Sequence, residues 1–395
     1  MCIEATARNA KSKATFDMDV TVGCGMLKTM ADTNPSRPVR FAYVGCGFVA
    51  QTIHIPNFRS LKDCEFVGLA EVRQDLGKRV ADRFGIRKLY RSHEEIAIDA
   101  DIEAVGVSAP YALQGKIAEE LVRAGKHVFM EKPMAVNAAR AERIVAAQKP
   151  DARVFVAYMK RYDPGNLLLK RHLDAWRASG EAGPILFARN HGFGGNWTYA
   201  ADPNVVMDRS PETPPPAPAE CPEWLPSEWH NSYLGYLQQW THNVNLLRFF
   251  LSKPGESSAP VVKTVQLDTD GMTGVVVLEI NGTRCTVESA YTGYHGWEEH
   301  TQIYFKNGWL RTEAPPLMQK NVPATVELYR PAKPGQAPQL VKEFADPQWS
   351  YREEAAAFLR CVRSGEPFPS SAQDTLHDVR LFEDIYREFV AQQPK

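Results

Sequence analysis

The sequence predicts an α/β chain built on two sheets. A doubly wound parallel sheet is expected in the N-terminal part, followed by a C-terminal α/β domain with a mostly antiparallel open sheet. Three observations predict this. From Val39 to Ala157, apolar runs of strand length alternate with amphipathic helix-length segments, the pattern of right-handed βαβ units. The first run ends in a Gly-x-Gly turn. Past Tyr158 come strand-like runs separated by turns such as Asn281-Gly282 and Asn307-Gly308, the mark of antiparallel hairpins.

Val39–Val44 reads as a buried strand, and Gly45-Cys46-Gly47-Phe48-Val49-Ala50 follows it as a G-x-G-x-x-A fingerprint. The first glycine allows the tight turn, the second lets a pyrophosphate approach the backbone, and the small Ala50 lets the next helix pack close. The helix start then offers free N–H groups to phosphates. Together these mark a Rossmann dinucleotide site. A helical stretch reaches Leu61, and Cys64–Ala70 forms the second strand, ending in Glu71. Glu71 lies about 21 residues past Ala50, the offset expected of the acid that binds a ribose 2′-hydroxyl. A carboxylate there repels a 2′-phosphate, so NAD is the expected cofactor. Arg73, two residues on, leaves NADP open.

The alternation continues with a helix over Gln74–Phe84 stopped by Gly85, and a capping box at Ser92-His93-Glu94-Glu95. A strand over Ala104–Val107 and a helix over Leu113–Ala124 closed by Gly125 follow. The strand His127–Met130 then runs into Glu131-Lys132-Pro133. Strand ends in an open parallel sheet are where ligands bind, so Lys132 is a candidate acid, base or charged donor. A helix over Ala138–Ala147 and a strand over Val154–Ala157 complete this part. Beyond it, helices are expected over Leu167–Trp176, Leu234–Leu251, Ser350–Val362 and Thr375–Val390. Strands are expected over Ile185–Ala188, Val261–Leu267, Thr273–Ile280, Arg284–Tyr291, Thr301–Phe305 and Thr325–Tyr329. The proline-rich stretch 203–226, with Trp224 and Trp229 beside it, reads as a lid or subunit-contact loop.

At 395 residues, two domains are the natural division. We place a mobile extension at 1–36, a dinucleotide-binding domain at 37–158 and a substrate and oligomerisation domain at 159–395, whose last helices pack back on the first. The 46 basic residues balance the 47 acidic ones, so no nucleic-acid or polyanion partner is expected. No run approaches the roughly 20 apolar residues of a membrane span. The seven cysteines form no C-x-x-C pair, so neither a disulfide framework nor a metal site is expected. That count and the lack of a secretory signal fit a cytoplasmic protein.

The chain resembles the Gfo/Idh/MocA oxidoreductases, a family that includes glucose–fructose oxidoreductase and inositol dehydrogenase. The fingerprint Gly45–Ala50, Ala124-Gly125-Lys126-His127-Val128, Glu131-Lys132-Pro133, Arg161-Tyr162-Asp163-Pro164, the helix around His242 and Ser364-Gly365-Glu366-Pro367 carry the resemblance. It implies an NAD(P) cofactor, a cyclic polyol or sugar substrate, and a homodimer or homotetramer through the C-terminal sheet. It places Pro110, Glu131 and Lys132 beside the cofactor. It makes Lys132 the catalytic lysine and His242 the histidine that exchanges a proton with the reacting oxygen. Alcohol oxidation does need a proton acceptor, and a lysine beside the oxygen steadies developing alkoxide charge.

The resemblance implies substrate contacts at Lys160 and Arg161 after the sixth strand. Asn190-His191 at the next strand end, Tyr158, Gln238, Asn243, Asn245, Tyr294 and His295 are further candidates. Two carboxylates common in the family are replaced here by Gln238 and Asn245, and Tyr111 and Gln114 replace an asparagine and a histidine. Loss of negative neighbours lowers a histidine's pKa, so His242 is expected to be neutral and ready to act as a base. A lyase or epimerase that recycles NAD through a transient keto-sugar, and a non-catalytic NAD(P)-binding sensor, are the alternative readings.

Overall fold

The computed structural model describes residues 37–198, 201, 204–207, 220–252, 259–294 and 296–394. The expected extension at 1–36, much of the proline-rich stretch and His295 lie outside the described residues. The first sheet comprises β1 (Val39–Val44), β2 (Cys64–Ala70), β3 (Lys88–Tyr90), β4 (Ala104–Val107), β5 (His127–Glu131) and β6 (Val154–Ala157). The strands are parallel and ordered β3-β2-β1-β4-β5-β6. Every residue of β4 and β6 is buried, as a sheet covered on both faces requires.

The connecting helices are α1 (Ile55–Ser60), α2 (Gln74–Phe84), α3 (His93–Ile98), α4 (Tyr111–Arg123) and α5 (Ala138–Ala147). A π-helical turn, Ala50–His54, leads directly into α1. The capping box is not made. Ser92 caps α3 without a side-chain hydrogen bond, and Glu95 instead accepts from the Arg91 N–H at 2.9 Å. Glu95 reaches one residue further back than the box requires.

After β6, a 3-10 turn (Met159–Tyr162) leads into α6 (Pro164–Ser179). This helix starts earlier than expected, because Asp163 accepts from the Gly165 and Asn166 N–H groups and Pro164 tolerates the first turn. β7 (Ile185–Gly194) and α7 (His230–Leu251) follow, then β8 (Val261–Leu267), β9 (Gly274–Ile280), β10 (Thr283–Tyr291), β11 (Glu298–Phe305), β12 (Trp309–Glu313), β13 (Thr325–Arg330) and β14 (Gln339–Glu343). These strands form one sheet in the order β14-β13-β12-β11-β7-β10-β9-β8, in which only the β7–β10 pair is parallel. The expectation of a mainly antiparallel sheet holds, while β12 and β14 add to the expected strands.

Two last helices join the sheets, and Pro38–Lys395 pack as one unit. α8 (Ser350–Ser364) sets Phe358 among Phe41, Phe58, Phe129 and Phe155 on one face of the parallel sheet. α9 (Ala372–Ala391) straddles both cores. Its Leu376 and Val379 pack with the core of β4–β6, and its Phe382, Ile385 and Tyr386 pack with that of α7 and the second sheet. This shared packing holds α7 near the C-terminal edge of the first sheet.

Candidate active site

The glycine fingerprint forms a cradle. Gly45 has φ +89°, and a Cβ there would stand 2.1 Å from the Ser108 carbonyl oxygen, so only glycine fits. A Cβ at Gly47 would meet nothing within 4 Å, which leaves the backbone open to a ligand. The chain becomes helical at Phe48 and Val49, and Ala50 is fully buried in the core. Phe48 sets its ring edge-on to Trp197 at 5.6 Å. Glu71 closes the cradle. Its carboxylate accepts from the Cys46 N–H at 3.1 Å, the Arg73 N–H at 3.2 Å and the Arg73 Nε at 2.8 Å. Burial opposes the charge on Glu71, but the Arg73 hydrogen bonds hold it below the usual carboxylate range. An open backbone, a helix start and an ionised acid at the β2 end fit a dinucleotide. Sequence reasoning missed Gln51, whose amide donates to the Cys46 carbonyl at 2.7 Å and accepts from the Val206 N–H at 2.8 Å.

The second half of the site forms where β5 meets α7. Pro110 caps α4, and Gln114 on that helix donates to the carbonyls of Glu131 and, at 3.1 Å, Pro133. An amide thus clamps the Glu131-Lys132-Pro133 turn. The half-buried Lys132 reaches from it to donate to the Gln238 carbonyl on α7 at 2.9 Å. Burial and the positive charge of Lys160 push its pKa down to about 8, against the pull of Glu131. Four residues on, His242 is buried, and its Nδ1 has no hydrogen-bond partner among the described residues. Burial first, then Lys132 and Lys160, hold its pKa well below the ordinary 6.5. The shift runs in the direction expected, with burial and two lysines as its causes. Gln238 is exposed and turns its side chain to the Tyr111 hydroxyl.

Lys160 lines the same region, and its ammonium contacts both carboxylate oxygens of Glu299, which also accepts from Trp297 Nε1 at 3.1 Å. Glu299 and Trp297 were missed as site residues. The signal was an acid in a strand-like stretch, hidden because β11 begins at Glu298, before the strand expected at Thr301. Tyr158 stands edge-on to His242 at 6.0 Å and hydrogen-bonds Thr241 at 2.7 Å.

Several expected substrate contacts prove to be engaged elsewhere. Arg161 bonds Asn245 at 2.6 Å and Asp374 at 2.8 Å, and Asn245 bonds Asp378 at 2.7 Å. These pairs tie the 3-10 turn and α7 to α9. Asn243 donates to Asn190, and Asn190 donates to Thr301 at 2.7 Å; both asparagines are buried between α7 and the sheet. His191 is one residue further along β7, so its side chain points to the opposite face. There it pairs with Glu288 at 2.8 Å and stacks on His300 at 5.0 Å. Tyr294 is exposed and bonds Glu298. Among the described residues, the group with metal-ligand spacing is His93, Glu94 and Glu120, where both ring nitrogens already pair with the carboxylates. No described helix is long and apolar enough to cross a membrane.

A glycine cradle at the first turn of a parallel β3-β2-β1-β4-β5-β6 sheet defines an NAD(P)-binding Rossmann oxidoreductase. Residues 39–158 match the Gfo/Idh/MocA oxidoreductase family, NAD-binding Rossmann fold. It is 22% identical over 345 residues to the myo-inositol 2-dehydrogenase of Thermotoga maritima, covering 85% of this chain and 92% of that one. It is 29% identical over 153 residues to the inositol 2-dehydrogenase of Salmonella typhimurium, covering 38% and 44%. Among solved structures, it is similar to a 3-ketoreductase from Actinomadura kijaniata in complex with NADP and TDP-benzene. The TM-score is 0.66 at 17% identity, over 89% of this chain and 98% of that one. The aldose-aldose oxidoreductase of Caulobacter crescentus gives a TM-score of 0.65 at 20% identity, over 90% and 99%.

Proposed function

We propose that this chain oxidises a secondary ring hydroxyl of a sugar, glycoside or cyclitol, or reduces the corresponding ketone, with NAD as cofactor. The observation that carries this reading is the meeting of Lys132 with the α7 turn that bears the buried, neutral His242. The relatives named above, two inositol dehydrogenases and an aldose-aldose oxidoreductase, support the substrate class.

Bound NAD supplies the hydride acceptor. Gly45, Gly47 and the helix start at Phe48 and Val49 would hold its pyrophosphate, and Glu71 would take the ribose hydroxyls. The neutral His242 imidazole accepts the hydroxyl proton as the alcohol is oxidised. The Lys132 ammonium donates to the reacting oxygen and stabilises the negative charge that develops there. Burial keeps His242 unprotonated, and Lys132 and Lys160 add to that effect.

The test is nicotinamide reduction with NAD⁺ or NADP⁺ and a panel of free sugars, glycosides, inositols and sugar nucleotides, with Lys132→Met run beside it. A signal with NAD⁺ that disappears in the variant supports the reading. Substrate conversion without net nicotinamide reduction moves the assignment to a cofactor-recycling lyase or epimerase. Cofactor binding without any conversion moves it to a sensor.

A further inference from the structure

Behind Lys132 lies a buried pair that the proposed reaction does not use. His54 ends the π-helical turn that follows the glycine cradle, and its side chain is wholly buried. Its Nε2 stands 2.6 Å from Glu131 Oε1. The other carboxylate oxygen, Oε2, accepts the main-chain N–H of Lys132 at 3.1 Å. An ionised carboxylate only accepts, so the proton of this short bond belongs to Nε2. The ring cannot swing away, because Tyr43 stacks on it at 5.8 Å and Phe129 meets it edge-on at 5.2 Å.

We propose that His54 and Glu131 form a positioning dyad for Lys132: the imidazole pins the carboxylate, and the carboxylate holds the lysine's main chain and sets its charge. This rests on the reading above only in taking Lys132 as the reactive group.

The surrounding groups support it. Lys132 is influenced by Glu131, Lys160 and His242. Of these, Glu131 alone favours the charged ammonium, because Lys160 opposes it. Glu131 in turn is faced by His54, Glu354, Tyr43, Tyr111 and Tyr351. Glu354 on α8 is fully buried, and neither of its oxygens has a partner among the described residues. Burial first, then the charge of Glu131, push the Glu354 carboxyl well above the usual carboxylate range. Glu131 is the carboxylate bonded to the lysine's main chain, and His54 fixes where it sits. The dyad also links two parts of the site, because His54 belongs to the helix launched by the cradle and Glu131 ends β5.

The test measures the protonation of Lys132 directly in the full chain. Acetylation by acetic anhydride is followed against pH and read on the Lys132 peptide by mass spectrometry. Four proteins are compared: wild type, His54→Phe, which keeps the ring packing, His54→Gln, which keeps a donor near the Nε2 position, and Glu131→Gln. The apparent pKa of Lys132 should fall by about one pH unit in His54→Phe and Glu131→Gln. It should stay near wild type in His54→Gln, and His54→Phe should add nothing in the Glu131→Gln background. An unchanged Lys132 in Glu131→Gln overturns the proposal, even if His54→Phe fails to fold. So does an effect of His54→Phe that persists when Glu131 is already glutamine. Labelling needs no turnover, so a chain inactive on every sugar still decides this point while refuting the proposed reaction separately.

Discussion

The Lys132 ammonium donates to the main-chain carbonyl of Gln238 at 2.9 Å, joining residues 106 positions apart. That bond brings the end of β5 to the α7 turn carrying His242. It sets Lys132 against the helix that bears His242, at the carboxyl end of the parallel sheet, where ligands bind in an open α/β fold.

Lys132→Met keeps the length of the side chain and removes its charge. We expect turnover to fall roughly 10²–10³-fold, the usual loss when one charge-stabilising donor is removed. NAD affinity, followed by fluorescence titration, should change little, because the cradle and Glu71 hold most of the dinucleotide.

The pH profile of kcat/KM should report Lys132 on its alkaline side. The ammonium is present below about 8, so activity should decline as pH rises through that value. His242 is unprotonated well below 6.5, so the profile should be flat through neutrality and fall only at lower pH. Gln238→Asp adds a negative neighbour that favours both the imidazolium and the ammonium, and both limbs should move to higher pH. An unchanged profile would show that the amide at 238 has no electrostatic role.

Stability should respond to the same groups. Below pH 6.5 the unfolded chain protonates its histidine while the folded chain keeps His242 neutral. The unfolded state then binds more protons, so stability falls as pH drops through that range. Between about 8 and the ordinary lysine value of 10.5, the unfolded chain again binds more protons, at Lys132. Stability should therefore rise with pH in that window. Urea denaturation across pH should show a shallower acid slope in His242→Gln and a smaller alkaline rise in Lys132→Met.

Glu71→Gln removes the ionised acid from beneath the cradle and frees Arg73 from its charge. A hydrogen bond to a charged group contributes about 1.5–3 kcal/mol, so NAD affinity should weaken about tenfold to a hundredfold. NADP affinity should rise, because the repulsion of a 2′-phosphate is gone. Kd values for both dinucleotides by titration check this.

Asp378→Ala should be strongly destabilising. Asp378 and Arg248 are both fully buried and meet at 2.8 Å, so the change leaves the guanidinium with less compensation inside the core. Breaking a buried pair of this kind costs about 3–5 kcal/mol, read as a fall in Tm. Asn245→Ala, in the same network, should lower Tm while leaving KM for the sugar unaltered, since Asn245 faces α9.

The glycine cradle, Glu71, the βαβ alternation and the Lys132 turn were all legible in the linear chain. Each depends on local rules: a positive φ that needs glycine, a strand period of two, a fixed offset within one βαβ unit. His242 was legible by resemblance, and a lowered pKa was expected, although the expected cause was the loss of carboxylates at 238 and 245. The helix starts at Tyr111 and Pro164 and the extra strands β12 and β14 were less visible, because caps and edge strands carry little apolar patterning. The candidate substrate contacts fared least well, since Arg161, Asn190, Asn243 and Asn245 are polar residues spent on internal hydrogen bonds.

The sequence by itself determined that this chain binds a dinucleotide on a parallel sheet and presents a lysine at the end of a strand. Only the tertiary structure decided which polar side chains face the cleft. Asn190 and His191 are neighbours, yet the pleat sends them to opposite faces of β7. Lys160 and Glu299 are separated by 139 residues and meet because β11 pairs with β7. Arg161 and Asn245 meet Asp374 and Asp378 because α9 straddles two cores. The physical reason is that a buried polar group must find a partner, and the identity of that partner is set by long-range packing that no local pattern encodes.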